Sequence, residues 1–318
     1  MTTILVTGGY GFIGRYLCSY LSRLGNEIIS IGHGNWNKKD SFNCGIKNWM
    51  NCDITFENLQ TVFKKKKPQI IFHLAGGATV SNGEKNPEQD FFKNVISTSE
   101  LLEWIRLESS KSKLIVASSA SVYGQGINGT ISEDFIGNPY SVYGKNKNKV
   151  ELLCKLYKEK YDLNYIIVRL FSVYGPQLKK QLLWEFCNRL ISNEIPIILG
   201  GTGKEVRDWV YIDDVVKVLS SIGLNDQKIA ENNIINIGTG IGHNVQDIIK
   251  IILYHWNKKE NLYNKDNIKF SGKNRPGDPF SLVADISFLS KLDLFCKTDP
   301  TEGIGHYIDW FKDLKNCK

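Results

Sequence analysis

The chain has 318 residues, of which 42% are hydrophobic and 23% charged, with a formal net charge of +7. This is the composition of a water-soluble globular protein, and no apolar stretch fits a membrane span or a signal peptide. The lysines are dispersed among acidic residues, which argues against a nucleic-acid-binding surface, and the five histidines show no metal-ligand spacing. We therefore expect no nucleic acid, membrane or metal partner.

The seven cysteines are scattered along the chain without a Cys-x-x-Cys pair. This scatter is typical of free thiols in a reducing compartment. The sequence thus predicts a cytoplasmic protein, long enough for one large α/β domain with a smaller lobe.

A glycine-rich turn between a strand and a helix opens the chain. Residues 4–6 form an apolar run typical of a strand buried in a parallel sheet, and apolar residues recur at helical spacing from Ile13 onwards. Gly8, Gly11 and Gly14 stand between them, three residues apart. In a dinucleotide site such glycines permit the tight turn, the close approach of a pyrophosphate and the packing of helix on strand. The turn therefore predicts dinucleotide binding.

The residue after the second predicted strand, at 27–31, normally distinguishes the two nicotinamide cofactors. A carboxylate there hydrogen-bonds the ribose hydroxyls of NAD and repels the 2′-phosphate of NADP. This chain has Gly32 and His33 there, and Lys38 and Lys39 follow shortly after. We therefore favour NADP, while NAD held by the backbone of the glycine loop stays open.

Two further strand ends supply candidate cofactor contacts. Asp53 and Ile54 follow a short third strand, and the fourth strand runs into Leu74, Ala75 and Gly76. Ligands of open parallel sheets lie outside the carboxyl ends of the strands, where small residues let a cofactor approach the chain. Asp53 is also a candidate cap for the helix that follows it.

A Tyr-x-x-x-Lys pattern follows the fifth predicted strand. That strand runs into Ser119 and Ser121, and Tyr143 and Lys147 lie near the start of the next helix. Residues four apart share a helical face, and a cation beside a phenol favours the phenolate, which would tune a general acid/base. The pattern also occurs as a surface pair, but its place after a glycine turn and a serine-rich strand end favours catalysis.

Taken in order, the motifs resemble one family. They are Thr-Gly-Gly-x-Gly-Phe-Ile-Gly, His-Leu-Ala-Gly, Ser-Ser-x-x-Val-Tyr-Gly, Tyr-Gly-Lys-x-Lys and Arg-Leu-Phe-Ser-Val-Tyr-Gly-Pro, beginning at residues 7, 73, 118, 143 and 169. The chain is similar to the extended short-chain dehydrogenase/reductases that modify nucleotide-diphospho-sugars, the epimerase/dehydratase family. The likeness continues through residues 207–215, 236–240 and 275–278, and so covers nearly the whole chain.

The resemblance implies a Rossmann-type doubly wound parallel sheet with a smaller α/β carboxyl-terminal substrate lobe. The dinucleotide-binding domain would comprise residues 1–175, completed by about 206–240, and the nucleotide-sugar lobe residues 176–205 and 241–318. It also implies a homodimer, formed by a helix at 87–107 and the helix that bears Tyr143. Four apolar residues on these helices fit that interface, although the core of a monomer fits them too: Leu101, Trp104, Leu153 and Leu156.

The resemblance also implies a role for each matching residue. Ser119 would hydrogen-bond the sugar hydroxyl or ketone, Tyr143 would donate or accept the proton, and Lys147 would hold the nicotinamide ribose and lower the tyrosine pKa. Asn94 would support this arrangement. The substrate-binding residues would be Ser119, Ser121, Ser172, Arg207 and Arg275, the two arginines for the diphosphate. The cofactor-binding residues would be Gly8, Gly11, Phe12, Ile13, Gly14, Gly32, His33, Asp53, Ile54, Leu74, Ala75, Gly76, Asn94, Tyr143 and Lys147.

Two departures from the family pattern narrow the reaction. Dehydratases carry Asp-Glu where this chain has Ala120 and Ser121, so 4,6-dehydration is not expected, and many relatives have Asn where Ser172 stands. We favour an NAD(P)-dependent reductase of a 4-keto nucleotide-sugar in polysaccharide precursor synthesis, because no acid follows the second strand. The alternative is an NAD-dependent 4-epimerase similar to UDP-glucose 4-epimerase. The complete Ser, Tyr and Lys set argues against a cofactor-sensing protein without catalysis.

Overall fold

The computed structural model describes residues 1–77, 79–126, 129–225, 233–257, 265–273 and 279–316. The chain divides into two compact units. The first comprises Met1–Gly124, Glu133–Leu170 and Val216–Asn236, and the second Gln125–Ser132, Phe171–Val215 and Ile237–Lys318. Over the described residues, every helix is too short or too polar to cross a membrane.

Strands and helices alternate through the first half of the chain, as the crossovers of a parallel sheet require. The elements are β1 Thr3–Thr7, α1 Phe12–Arg23, β2 Glu27–Gly32, α2 Lys38–Asn43, β3 Ile46–Asn51, α3 Phe56–Val62, β4 Ile70–His73, α4 Val80–Lys85, α5 Pro87–Phe91, a π-helical turn Phe92–Ile96, α6 Ser97–Glu108, β5 Lys113–Ser119, a 3₁₀ turn Ala120–Val122, α7 Val142–Tyr161 and β6 Tyr165–Leu170.

The rest of the chain has shorter strands. Its elements are β7 Ser172–Tyr174, α8 Gln181–Ile191, β8 Ile197–Leu199, β9 Val206–Tyr211, α9 Ile212–Leu224, β10 Ile234–Ile237, β11 Gly242–Asn244, α10 Val245–Trp256, a 3₁₀ turn Lys265–Asn267, β12 Ile268–Phe270, β13 Ser281–Leu282, α11 Ser287–Lys291 and α12 Pro300–Asn316.

A seven-stranded sheet forms the centre of the first unit, in the order β10-β6-β5-β4-β1-β2-β3. All five residues of β1 are buried, because it is a central strand, paired with β2 and β4, of a parallel sheet whose two faces are covered. The strand order reverses at β1, where its last residue, Thr7, pairs with Ile31 of β2 and His73 of β4. This confirms the predicted Rossmann-type sheet and sets the glycine turn at the point where such sheets bind ligands.

The helices of the first unit bury more of their apolar residues than the sequence indicated. Leu101 and Trp104 on α6 have no exposed surface and belong to the main core, and Leu153 on α7 packs against it. Leu101 and Trp104 therefore belong to the core of the monomer, the alternative to a dimer interface, because α6 turns them towards the sheet; Leu153 is partly buried. Leu156 alone of the four predicted residues is exposed, at 45%.

The second unit is built around β9. This strand pairs parallel with β7 and β13 and antiparallel with β11, while β8 and β12 form a separate parallel pair. Residues 206–215 therefore belong to the second unit, whereas the predicted boundaries placed them in the first. Residues 216–236, which lie within the predicted 206–240 segment, do belong to the first unit. The chain leaves the first unit after residue 170 rather than 175, and residues 125–132 also join the second unit, where Ile131 bridges to Ala284.

Candidate active site

The glycine turn after β1 has the close contacts that only glycine permits. Gly8 has φ of +73°, its N–H donates to the Ile31 oxygen at 2.7 Å, and a Cβ there would lie 2.8 Å from the Ala75 nitrogen. A Cβ at Gly14 would overlap the Gly8 carbonyl oxygen, whereas one at Gly11 would meet only that same oxygen, at 3.0 Å. Gly11 begins α1 without a side-chain cap, so the turn and the helix start have the shape and polarity that a pyrophosphate requires.

His33 and Asp53 meet at the ends of β2 and β3. The His33 Nε2 and Asp53 Oδ1 atoms are 2.8 Å apart, and both side chains are more than half exposed. The two strand ends are joined by the Cys52 N–H, which donates to the Gly32 oxygen at 3.2 Å. A carboxylate thus does lie at the end of the second strand, but it comes from a residue twenty positions further along the chain. Asp53 does not cap α3, since the Thr55 hydroxyl accepts the capping hydrogen bond from the Asn58 N–H.

The predicted catalytic residues come together at the start of α7. Ser141 caps this helix by accepting a hydrogen bond from the Gly144 N–H at 3.0 Å, which fixes its first turn. The hydroxyl of Ser119, at the end of β5, acts on the phenol of Tyr143 and favours its charged form, which lowers the Tyr143 pKa. One turn along the helix, the Lys147 ammonium lies 5.9 Å from the centre of the Tyr143 ring.

Burial controls the ionisation of both groups. It raises the pKa of Tyr143 to about 12, against the opposing hydrogen bond from Ser119. It lowers the pKa of Lys147 to about 8, against the nearby carboxylates of Asp90 and Glu151. Removing the phenolate from water outweighs the favourable neighbour in the net shift, and the predicted lowering of the tyrosine pKa by Lys147 stays a prediction.

Asn94 lies in a π-helical turn that the sequence did not reveal. The turn, Phe92–Ile96, interrupts the helical run predicted at 87–107. The Asn94 backbone oxygen accepts from the Thr98 hydroxyl at 2.5 Å, and the same hydroxyl lies 3.0 Å from His73 Nε2. His73 Nδ1 in turn lies 2.8 Å from the Thr7 hydroxyl, so one buried chain of hydrogen bonds joins β1, β4 and α6. Burial lowers the pKa of His73 to about 3, which keeps the ring neutral.

The end of β4 fits a cofactor in a second way. Gly76 has φ of +152°, and a Cβ there would lie 2.5 Å from Asn94 Oδ1 and 3.2 Å from Lys147 Nζ. Asn94 Oδ1 is buried and, over the described residues, has no hydrogen-bond partner. A side chain at residue 76 would fill the space that these two polar groups face, so Gly76 keeps it open for a ligand. Leu74 and Ala75 lie in the same segment, next to the glycine turn.

The predicted substrate residues fall into both units. Ser121, in the first unit, has a buried hydroxyl that lacks a hydrogen-bond partner within the described ranges. In the second unit Ser172 pairs with Trp209, two residues after Arg207 on β9, so Ser172 and Arg207 share a face of that sheet. The Arg207 guanidinium donates to the Val206 and Phe280 oxygens at 2.8 and 3.2 Å. Arg275 lies outside the described residues.

Asp90 and Asn146 are site residues that the sequence did not single out. Both are buried, and the Asn146 amide donates to Asp90 Oδ2 at 2.8 Å. Asn146 directly precedes Lys147, and the Asp90 backbone oxygen accepts from the Asn94 amide at 2.9 Å. The usable signal is an acid four residues before Asn94, on the same helical face.

Comparison with known proteins gives a consistent picture. The model of the NAD-dependent epimerase/dehydratase family matches residues 4–238. A putative UDP-glucose 4-epimerase of Methanocaldococcus jannaschii is 30% identical over 315 residues, 98% of this chain and 98% of the relative.

Solved structures agree over the same length. A UDP-glucose 4-epimerase of Thermotoga maritima, determined with UDP-glucose, has a TM-score of 0.86 at 27% identity and covers 98% of this chain and 99% of its own. A UDP-glucuronic acid 4-epimerase of Bacillus cereus, in complex with UDP-glucuronic acid and NAD, has a TM-score of 0.84 at 27% identity with the same coverage.

Proposed function

The chain belongs to the NAD-dependent epimerase/dehydratase family and is an enzyme, and from this premise we propose that it is a UDP-sugar 4-epimerase that uses NAD. The observation that carries the proposal is the position of the Lys147 ammonium 5.9 Å from the Tyr143 ring, with Ser119 acting on the same phenol, in a chain whose named relatives are 4-epimerases. The reaction would oxidise the sugar at C4 and reduce the ketone again from its other face.

Each residue of the set has a distinct task in this proposal. Ser119 binds the oxygen on C4, and the Tyr143 phenol takes the proton from that oxygen and later returns it. Bound NAD would supply the hydride acceptor and a positive charge beside the phenol. Because the pKa of Tyr143 is about 12, the phenol needs neighbouring positive charge to act as a base near neutral pH, and Lys147 contributes part of it.

The pair of His33 and Asp53 supports NAD over NADP. A neutral imidazole that donates from Nε2 to Asp53 has Nδ1 as an acceptor for a ribose hydroxyl. The Asp53 carboxylate would repel the 2′-phosphate of NADP from the same place. The preference for NADP rested on the absence of an acid after the second strand, and Asp53 removes that ground.

The preference for a 4-keto-sugar reductase rested on the same absence. The catalytic residues serve a reductase and an epimerase equally, so they give no reason to choose between them. The named relatives are epimerases, which favours the epimerase here. Ala120 is buried and Ser121 is a hydroxyl, so neither can take the place of the acids that drive dehydration.

For the substrate we propose that Arg207 binds the diphosphate of the nucleotide, with Ser172 beside it on the same sheet face. A guanidinium presents several N–H donors in one plane, which suits phosphate oxygens. Two backbone oxygens already hold the Arg207 guanidinium in place, which lowers the entropy lost on binding.

The deciding experiment follows the product and the cofactor together. Purified protein is incubated with UDP-glucose, UDP-glucuronic acid or UDP-N-acetylglucosamine, and the products are separated and identified by NMR. We expect one of these to convert to its 4-epimer without net change in nicotinamide absorbance, and Tyr143→Phe to abolish the conversion. If the enzyme instead oxidises NADH or NADPH while it reduces a 4-keto nucleotide-sugar, and forms no epimer, the protein is a reductase.

We also propose that the enzyme is a homodimer. Within the first unit, α5, the π-helical turn, α6 and α7 expose apolar side chains to solvent: Phe91, Phe92, Leu107, Leu152 and Leu156. Large exposed apolar side chains in neighbouring elements are typical of protein interfaces. Light scattering should give a dimer mass for the wild type and a monomer mass for the double variant Leu152→Asp/Leu156→Asp. A monomeric wild type at micromolar concentration would refute the proposal.

A further inference from the structure

A buried carboxylate lies beside the catalytic pair and has no part in the chemistry described so far. Asp90, on α5, is 5% exposed. A carboxylate this deeply buried is costly unless hydrogen bonds or a nearby cation compensate it. The Asn146 amide donates to its Oδ2 atom, but one neutral amide compensates only part of a full charge.

The surroundings of Asp90 place it against the active site. A Cβ at Gly77 would overlap the Oδ1 atom of Asp90, and Gly77 directly follows Gly76, which faces the expected cofactor. A Cβ at Gly83 would lie 3.2 Å from Tyr143 Cβ and 3.4 Å from Asp90 Cγ, so Asp90 and Tyr143 flank the same glycine. Asn146, which holds Asp90, is the residue immediately before Lys147.

We propose that Asp90 is a positioning residue of the reaction, and that its carboxylate, oriented by Asn146, is the counter-ion that keeps Lys147 as a charged ammonium beside Tyr143. The role rests on the proposed function and adds a residue to its machinery. Asp90 acts through Lys147 and Tyr143 and does not itself transfer the proton.

Other charged groups around the pair do not replace Asp90. Glu151 lies one turn beyond Lys147 on α7. Its two carboxylate oxygens accept from Nε and Nη2 of Arg169 at 3.1 and 2.7 Å. His73 on β4 is neutral, as its lowered pKa shows. Glu84 on α4 accepts from the Val142 N–H at the helix start, and Lys149 donates to the Asn146 oxygen at 3.2 Å. Among the described residues Asp90 is therefore a carboxylate without an ion pair of its own, and it raises the pKa of Lys147 more than Glu151 does.

The same charge acts on both members of the pair. Asp90 favours the ammonium of Lys147 and disfavours the phenolate of Tyr143, so it raises the pKa of each. Removing the charge by Asp90→Asn should lower both. The titration midpoints of the Lys147 ammonium and of the Tyr143 phenol should then both move to lower pH.

The test compares the side-chain NMR titration of Lys147 in the wild type and in Asp90→Asn. A nearby charge moves a pKa by about one unit or more. The midpoint of the Lys147 titration should therefore fall from about 8 to about 7 or lower in Asp90→Asn. Asp162→Asn makes the same chemical change at the exposed far end of α7 and should leave this midpoint where it is. An unmoved midpoint in Asp90→Asn would reduce Asp90 to a structural role and overturn the proposal.

Two further measurements do not depend on Asp90→Asn being folded and active. In the wild type, the side-chain NMR titration of Lys147, assigned with Lys147→Met, should have its midpoint near pH 8, and a midpoint well below 7 would overturn the proposal without any turnover. Asn146→Ser keeps the carboxylate of Asp90 and should leave the Lys147 midpoint close to that of the wild type; a shift of about one unit or more would show that the charge of Asp90 does not set it. An inactive wild type with the expected lysine titration would count against the proposed function and not against the role of Asp90.

Discussion

The Lys147 ammonium donates a hydrogen bond to the backbone oxygen of Ala117, 2.9 Å away. Ala117 lies in β5, two residues before Ser119, so this bond ties the Tyr143-bearing helix to the strand that presents the serine. Lys147 is 6% exposed, and its ammonium is therefore held in one place. Its role is to fix geometry as much as to supply charge.

Lys147→Met should abolish most of the activity, because it removes both the charge beside Tyr143 and the tie to Ala117. General acid–base assistance is typically worth about 10²- to 10⁴-fold, and we expect kcat to fall within that range. The measurement is the rate of epimer formation, together with the amount of NAD retained after purification. Lys145→Met is the matched control, since Lys145 is exposed in the same helical turn and should change kcat by less than about twofold. Comparable rates for Lys147→Met and the wild type would contradict the proposed mechanism.

The part of the site that the sequence predicted is the part encoded by short-range pattern. The glycine turn, the strand ends and the Tyr-x-x-x-Lys spacing are local, and the structure brings Ser119, Tyr143 and Lys147 together as expected. The pairing of His33 with Asp53 depends on the register of β2 and β3, and Asp90 depends on how α5 packs against α7. Neither is visible from spacing alone, since each joins residues 20 or 56 positions apart.

Asp53→Asn should weaken the discrimination against NADP, because it removes a negative charge beside the expected 2′-phosphate. We expect the Kd for NADP to fall about fivefold to tenfold at low salt while that for NAD changes less, a size typical of one exposed charge. Tryptophan fluorescence titration of protein stripped of nucleotide measures both constants. Asp40→Asn, which removes an exposed acid from α2, is the control for net charge and should leave the ratio of the two Kd values unchanged. An Asp53→Asn protein with the same NADP to NAD ratio as the wild type would remove Asp53 from the specificity site.

The fold of the first unit was predicted better than its boundaries. Apolar runs at β1 and β4 predict buried strands, since both faces of a central parallel strand are covered. The sequence did not predict α2 or α4, which are six residues each and bury one residue apiece. Helices this short have almost no apolar face, so periodicity cannot detect them. The assignment of β9 to the second unit depends on strand pairing over long distances, which composition does not encode.

Arg169→Met should destabilise the first unit strongly. Arg169 and Glu151 form a bidentate ion pair in which both side chains are at least nine-tenths buried, and Glu151 also accepts from the Ser118 hydroxyl at 2.5 Å. Removing the guanidinium leaves a buried carboxylate uncompensated, which typically costs about 3–5 kcal/mol. Urea denaturation measures the loss. Lys158→Met breaks the exposed pair with Asp162 and should leave the urea midpoint nearly unchanged, because water screens an exposed pair; similar losses for the two variants would be inconsistent with a buried pair.

His73 should make the fold sensitive to acid. The pKa of its ring falls from 6.5 to about 3 on folding, so the unfolded chain binds a proton that the folded protein cannot. The stability that this contributes is fully present above pH 6.5 and is lost as the pH falls towards 3. Between pH 8 and pH 5, this one group should remove about 2 kcal/mol from the free energy of unfolding. Urea denaturation across that range should show this dependence of stability on pH in the wild type.

His73→Gln should be less stable at pH 8, because the hydrogen bonds to Thr7 and Thr98 are disturbed, but its stability should fall by about 2 kcal/mol less on acidification. The same slope in both proteins would mean that the buried ring accepts a proton without unfolding, contrary to its enclosure between two hydroxyls.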